Sequence, residues 1–195
     1  MKKSLIVLIS ILALLVIIIG YGISINNKMV NADEAVMSQW AKVENQYQRR
    51  ADLIPNLVNT VKGYASHEKE TLDAVVNARA KATQVTISPD NLNEASLQKY
   101  QAAQGELSQA LGRLLMVTEN YPDLKANQNF LELQAQLEGT ENRISTERTR
   151  YTDMVRDYNA MIRRFPASII AGIGGFDKKP QFTAEAGAEK APEVK

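Results

Sequence analysis

Leu5-Ile-Val-Leu-Ile-Ser-Ile-Leu-Ala-Leu-Leu-Val-Ile-Ile-Ile-Gly-Tyr-Gly-Ile23 is a run of nineteen residues without a charge. Extended from Ser4 to Ile25 it makes about 33 Å of helix, enough to cross the apolar core of a bilayer. A single segment crosses lipid only as a helix, because every backbone N–H and C=O must find its partner within the segment. Ser10, the polar side chain in the middle, is expected to bond back to a carbonyl one turn earlier. The reading for residues 1–25 is therefore a transmembrane helix, with Leu5, Leu8, Leu12, Leu15, Ile18 and Ile19 as the membrane anchor. A buried core helix would need apolar neighbours around it, and the chain supplies none.

Lys2 and Lys3 ahead of an apolar run also open secretory signals. Leu5 to Ile19 is at the long limit for such a signal, and Gly20-Tyr21-Gly22 is a poor cleavage site, so the segment is read as an uncleaved signal-anchor. The positive-inside rule puts Met1 to Lys3 in the cytoplasm and the body outside, against a small counter-bias from Lys28 and Lys42. The expected location is the cytoplasmic membrane.

Setting aside Lys2 and Lys3 leaves 21 basic residues against 22 acidic ones, a formal charge of −1 for the body. A nucleic-acid surface needs concentrated positive charge, so that class is excluded. The absence of cysteine removes disulfides, thiolate metal sites, a thiol nucleophile and a lipoprotein anchor.

From Ser24 to Phe165 apolar residues recur every three or four positions, the helical period. The first body helix starts at Asn31, with Glu34 as its capping partner, or runs on from the membrane. Its stripe is Val36, Trp40, Val43, Tyr47, Ala51, Ile54, Leu57 or Val58, Val61 and Ala65, a bundle or coiled-coil seam. Pro55 interrupts this stripe and predicts a kink. A second helix is expected from about His67 to Gln84. Thr86 to Asn91 reads as a loop, with Ser88 as N-cap and Pro89 as first residue of a third helix. That helix ends or bends at Tyr121-Pro122-Asp123-Leu124, whose Pro122 marks a second kink and which echoes Ile54-Pro55-Asn56-Leu57. The fourth helix has the strongest pattern, with Phe130, Leu133, Leu137, Ile144, Tyr151, Met154 or Val155, Tyr158, Ile162 and Phe165. The expected fold is all-α: the transmembrane helix, then an elongated antiparallel four-helix bundle over 26–176. The apolar run Ser168 to Phe176 is read as packing back onto the bundle or dipping into the membrane interface. The tail over 177–195, made largely of Ala, Glu, Lys, Pro and Gly, is read as disordered.

Catalytic chemistry finds little footing. His67, the one histidine, is followed by Glu68-Lys69-Glu70 and cannot form a two-histidine zinc helix, and bundle di-metal sites need a histidine from each of two helices. There is no phosphate-binding glycine loop or nucleophile-elbow serine. Glu138, Glu141 and Glu147 read as a solvated face rather than an acid–base pair. The expectation is no enzyme, no cofactor, no metal and no small-molecule substrate. The candidate site is polar: Arg49, Arg50, Asp52 and Asn56 on the first helix with Glu141, Asn142, Arg143, Arg148 and Asn159 on the fourth. If these helices are antiparallel neighbours, such residues form a closed interhelical network that sets register, or else a partner site.

The segments Arg49 to Val58, Val61-Lys62-Gly63-Tyr64-Ala65, Ala78-Arg79-Ala80, Tyr121 to Ala126, Asn129-Phe130, Thr140 to Ile144, Arg148 to Tyr151, Tyr158-Asn159 and Phe165-Pro166 occur in an order and spacing that closely resembles the bacterial LemA family. The resemblance covers about Asn31 to Phe176 and departs at Thr152, where the family more often has asparagine. It implies an N-terminal anchor, an antiparallel four-helix bundle and no enzymatic activity. The functional expectation is a non-enzymatic envelope protein whose bundle is an adaptor for other membrane or envelope proteins. The alternative is a scaffold that self-assembles as a homo-oligomer and organises or bends the bilayer.

Overall fold

The computed structural model describes residues 2–88 and 91–183. These residues form six helices and no strand: α1 (Lys2–Tyr64), α2 (Lys69–Gln84), α3 (Glu94–Thr118), α4 (Pro122–Lys125), α5 (Gln128–Arg163) and α6 (Ala167–Gly174). The expected count of four is thus exceeded by a one-turn helix between α3 and α5 and a short apolar one after α5.

α1 is one helix of 63 residues, running through the anchor into the body. Of the two starts expected for the first body helix, the unbroken one is found. Between Ile23 and Ile54 the sequence has neither glycine nor proline, so nothing stops helix propagation there. Ser10 Oγ donates to the Ile6 carbonyl at 3.0 Å, as expected of a hydroxyl within lipid. The anchor side chains Leu5, Leu8, Leu12, Leu15, Ile18 and Ile19 are all exposed, and no part of the body covers them. Among the described residues α1 alone is long and apolar enough to span a membrane, which fits membrane anchoring.

α1 continues through Pro55. The ring removes the N–H that would have bonded the Ala51 carbonyl. Arg79 of α2 takes that place, its Nε donating to Ala51 O at 2.7 Å. A local defect in α1 thereby becomes the docking point of α2. Pro122 behaves differently from expectation: it is the first residue of α4, where a missing N–H costs nothing, rather than a kink within α3. The start of α3 also differs. Its N-cap is Asn93, whose side chain accepts from Ser96 N–H while Ser96 Oγ accepts from Asn93 N–H, a reciprocal cap that Ser88 does not make. Pro89 lies outside the described residues. His67 is exposed in the turn before α2.

α5 runs antiparallel along α1, and α2 packs on α3 and α1. The buried stripe of α1 is Val36, Trp40, Val43, Tyr47, Ala51, Ile54, Leu57 and Val61, as its spacing requires. On α5 the stripe holds at Phe130, Leu137, Ile144, Tyr151, Val155, Tyr158 and Ile162, whereas Phe165 is 82% exposed. The core falls into two apolar clusters. One, nearer the anchor, is built around Trp40, Tyr100, Tyr151 and Tyr158. The other, at the far end, is built around Ile54, Leu57, Leu107, Leu114 and Phe130.

The tail is not featureless from Asp177. Gly175, at φ 72°, ends α6 in the left-handed region and turns the chain back. A Cβ on Gly174 would lie 2.8 Å from the Phe176 ring, so a side chain there would push that ring aside. Residues 176–183 then run as an extended strap along α1 and α5. The remainder of the predicted disordered segment lies outside the described residues.

Candidate functional site

Arg50 lies between the two apolar clusters and is 1% exposed. Its Nη1 donates to Glu141 Oε1 at 2.6 Å and to Ser108 Oγ at 2.8 Å. Its Nη2 donates to Gln104 Oε1 at 2.7 Å and to the Gln104 carbonyl at 3.2 Å. The guanidinium carbon sits 5.1 Å from the centre of the Tyr47 ring. One side chain thus ties α1 to α3 and α5 in a single polar layer. A planar five-donor cation suits this geometry, since its donors diverge to three partners at once. Gln104 extends the layer by donating to the Ala82 carbonyl of α2 at 3.4 Å. A cavity of only about 80 Å³ remains beside it.

Of the nine predicted polar residues, the structure brings Arg50 and Glu141 into direct contact, with Arg148 lining the same small cavity. Arg49, Asp52, Asn56, Asn142 and Arg143 are on the surface. Asp52 bonds only along its own helix, accepting from Gln48 Nε2 at 2.8 Å. Asn159 belongs to a separate site. Gln104 and Ser108 had no place in the sequence reading: Gln104 is a neutral residue on the mostly apolar buried stripe of α3, and Ser108 is an exposed serine one turn on. Gln39, 1% exposed, was equally silent; its Nε2 donates to Glu147 Oε2 at 2.6 Å.

The second assembly is the groove that holds the strap. Tyr158 Oη donates to the Asp177 carbonyl at 3.0 Å, and Tyr151 Oη to the Pro180 carbonyl at 2.9 Å. The Asn159 amide donates to Lys179 O at 2.9 Å and accepts from Lys179 N–H at 3.0 Å, pairing with both main-chain groups as a neighbouring strand would. Lys179 Nζ is 2.9 Å from Asp33 Oδ1, a charge contact rather than an aligned hydrogen bond. The Phe182 ring stacks on Trp40 at 5.9 Å and meets Tyr151 edge-on at 5.4 Å, with the Arg148 guanidinium 4.6 Å from its centre.

Tyr151 and Tyr158 act here as hydrogen-bond donors to the strap. Burial raises the pKa of Tyr151 and Tyr100 far above the usual phenol range, and Tyr158 is pushed up to about 12 by burial, with Asp33 and Asp177 adding to the effect. Burial also raises Tyr47, against opposing pulls from Arg148 and Arg50. Among the described residues no three His, Asp or Glu side chains gather to hold a metal ion. The strap was missed because its composition resembles a linker. A signal was present nonetheless: Phe176 and Phe182 are two of the chain's four phenylalanines.

Residues 39–195 match the sequence profile of the LemA family. The chain is 24% identical over 173 residues to the magnetosome protein MamQ 2 of Paramagnetospirillum magneticum, covering 80% of this chain and 64% of that relative. It is 23% identical over 173 residues to the magnetosome protein MamQ of Magnetospirillum gryphiswaldense, with the same 80% and 64% coverage. Protein LemA of Metamycoplasma hominis is 21% identical over 145 residues, which are 74% of this chain and 63% of that protein. The chain thus spans somewhat less than two-thirds of these relatives' lengths. Beginning at Gln39, the profile takes in the Arg50 layer, the helices α2 to α6 and the strap, and on that match the chain belongs to the LemA family.

Proposed function

We propose that this chain is a single-pass membrane protein whose helical body binds other envelope proteins and has no catalytic activity of its own. In this reading α1, α2, α3 and α5 act as a four-helix unit, joined by the shorter α4 and α6. The observation that carries it is the continuity of α1 from Lys2 to Tyr64. A helix that crosses lipid and then forms one side of the core projects the body from the bilayer without a flexible joint, as a membrane-tethered adaptor requires. The polar layer around Arg50 is turned inward, with both terminal nitrogens of Arg50 bonded within the chain and only its Nε unpaired, so partner contacts fall to exposed residues of α5 such as Asn142, Arg143 and Thr146. The N-terminus is cytoplasmic and the body lies on the opposite side. Photoreactive residues at these three positions, cross-linked in living cells, are expected to capture one envelope protein reproducibly. Capture of cytoplasmic proteins alone would reverse the orientation, and absence of any partner would remove the adaptor role.

A second reading, a self-assembling scaffold that organises or bends the bilayer, is favoured by α6. Ala167 and Ala171 are buried, Ile170 lies beside Gly22 of the anchor, and Gly174 lies beside Asn26. Ile169 and Ile173 point the other way, and Ile173 is 84% exposed. This apolar face sits where the anchor leaves the hydrocarbon, the level at which an interfacial helix inserts. A nitroxide on Ile173→Cys in vesicles is expected to relax with oxygen and to be shielded from a water-soluble paramagnet. The opposite pattern would place α6 in water.

A further inference from the structure

We infer that the groove between α1 and α5 is a peptide-binding site for an extended Lys-Pro-x-aromatic segment, and that its ligand between molecules is residues 177–183 of a second copy of this chain. The groove has the attributes of a receptor rather than of a packed core. Tyr158, Asn159 and Tyr151 read main-chain groups of the strap, three carbonyls and one N–H. Backbone recognition of this kind accepts any extended peptide in register, and side-chain pockets then select among them. Two such selections are present. Asp33 meets the Lys179 ammonium, and Trp40 and Arg148 both pack on the Phe182 ring.

The strap is attached as a detachable ligand would be. It leaves α6 through Gly174-Gly175, and one backbone hydrogen bond, Phe176 N–H to Ala171 O at 3.0 Å, ties its first residue to that helix. Every contact that the strap makes with its own groove is available to the same strap on the groove of a neighbour. Exchange therefore conserves contact energy and changes only the hinge and chain entropy, the condition under which identical elements swap between copies. An anchor that confines the copies to one plane raises their effective concentration for that exchange. The inference rests on the groove and does not depend on the adaptor reading.

The absence of cysteine makes the test direct. Gln181 Nε2 lies 3.4 Å from the Thr152 carbonyl, so thiols at these two positions come within reach of a short bis-maleimide. Full-length chains carrying Thr152→Cys and, under a different tag, Gln181→Cys are reconstituted together in vesicles and treated with the reagent. The expected product is a covalent heterodimer, lost on addition of a synthetic peptide of residues 177–183. Adding Phe182→Ala to the Gln181→Cys chain should lower its yield about tenfold, the scale of burying one aromatic ring. A chain bearing both cysteines reports strap placement within one molecule. Intramolecular cross-linking there without heterodimer in the mixture would overturn the exchange. Heterodimer that persists undiminished with Phe182→Ala and with peptide present would show collision rather than binding, and would overturn it equally.

Discussion

Arg50→Ala is expected to destabilise the body by about 3–5 kcal/mol, the range found when one partner of a buried charge pair is removed. Three effects add. Gln104 Oε1 and Ser108 lose a charged donor, the Glu141 carboxylate loses its counter-ion, and a side chain that is 1% exposed leaves a void between two apolar clusters. Glu141 is itself 46% exposed and regains water, which holds the total to the lower half of that range. Arg50→Lys should recover only part of the loss, because an ammonium cannot reach α3 and α5 together in the fixed fork that a guanidinium provides. Glu141→Gln should cost less than either, since an amide oxygen still accepts at that position. Denaturant titration of the full chain in detergent, followed by far-ultraviolet circular dichroism, orders the variants. If Arg50→Ala matched the wild-type midpoint, the polar layer would contribute nothing to stability.

Trp40→Ala is expected to cost a similar amount, about 3–5 kcal/mol, as for other large buried aromatics. The indole is 2% exposed and touches rings from three directions: Tyr100 at 5.4 Å, Tyr151 at 5.4 Å and Phe182 at 5.9 Å. Its loss opens the core cluster nearest the anchor and removes the floor on which the strap is stacked. Two readouts should therefore move together, the unfolding midpoint and the susceptibility of the Lys178–Lys179 bond to trypsin. Phe182→Ala separates them. It should free the strap for cleavage while leaving the midpoint of the helical body close to wild type, because Phe182 lies on the outside of the cluster rather than within it. Equal loss of midpoint in both variants would mean that the strap is part of the folding core.

The Arg50 layer is expected to favour one register of α1 against α3 and α5. A heptad stripe of interchangeable aliphatic residues fits its neighbour in more than one register, whereas a buried cation with fixed partners fits one. Pro55 acts in the same sense, since it frees a single carbonyl, that of Ala51, for Arg79 to find.

The membrane helix, the all-helical body and the buried faces of α1 and α5 were legible in the amino-acid order, because each depends on local periodicity: an uncharged run of sufficient length, few helix breakers, and apolar residues every three to four positions. The membership of the polar layer was half legible. Arg50 and Glu141 were among the nine candidates, but Arg49, Asp52, Asn56, Asn142 and Arg143 looked equally eligible, and only the rotation of α1 against α5 decided which pointed inward. Gln104 and Ser108 were invisible, because a neutral polar residue on an amphipathic helix means nothing until the cation it serves is placed opposite. The strap was beyond the reach of sequence periodicity. An extended segment has no internal hydrogen bonds to announce it, and its order comes from groups of Trp40, Tyr151, Tyr158 and Asn159 that lie far away along the chain. Local pattern determined what is helix and which stretch is apolar and long enough to span a membrane; the tertiary structure alone decided which polar groups meet and where the tail lies, since both depend on contacts between residues distant in sequence.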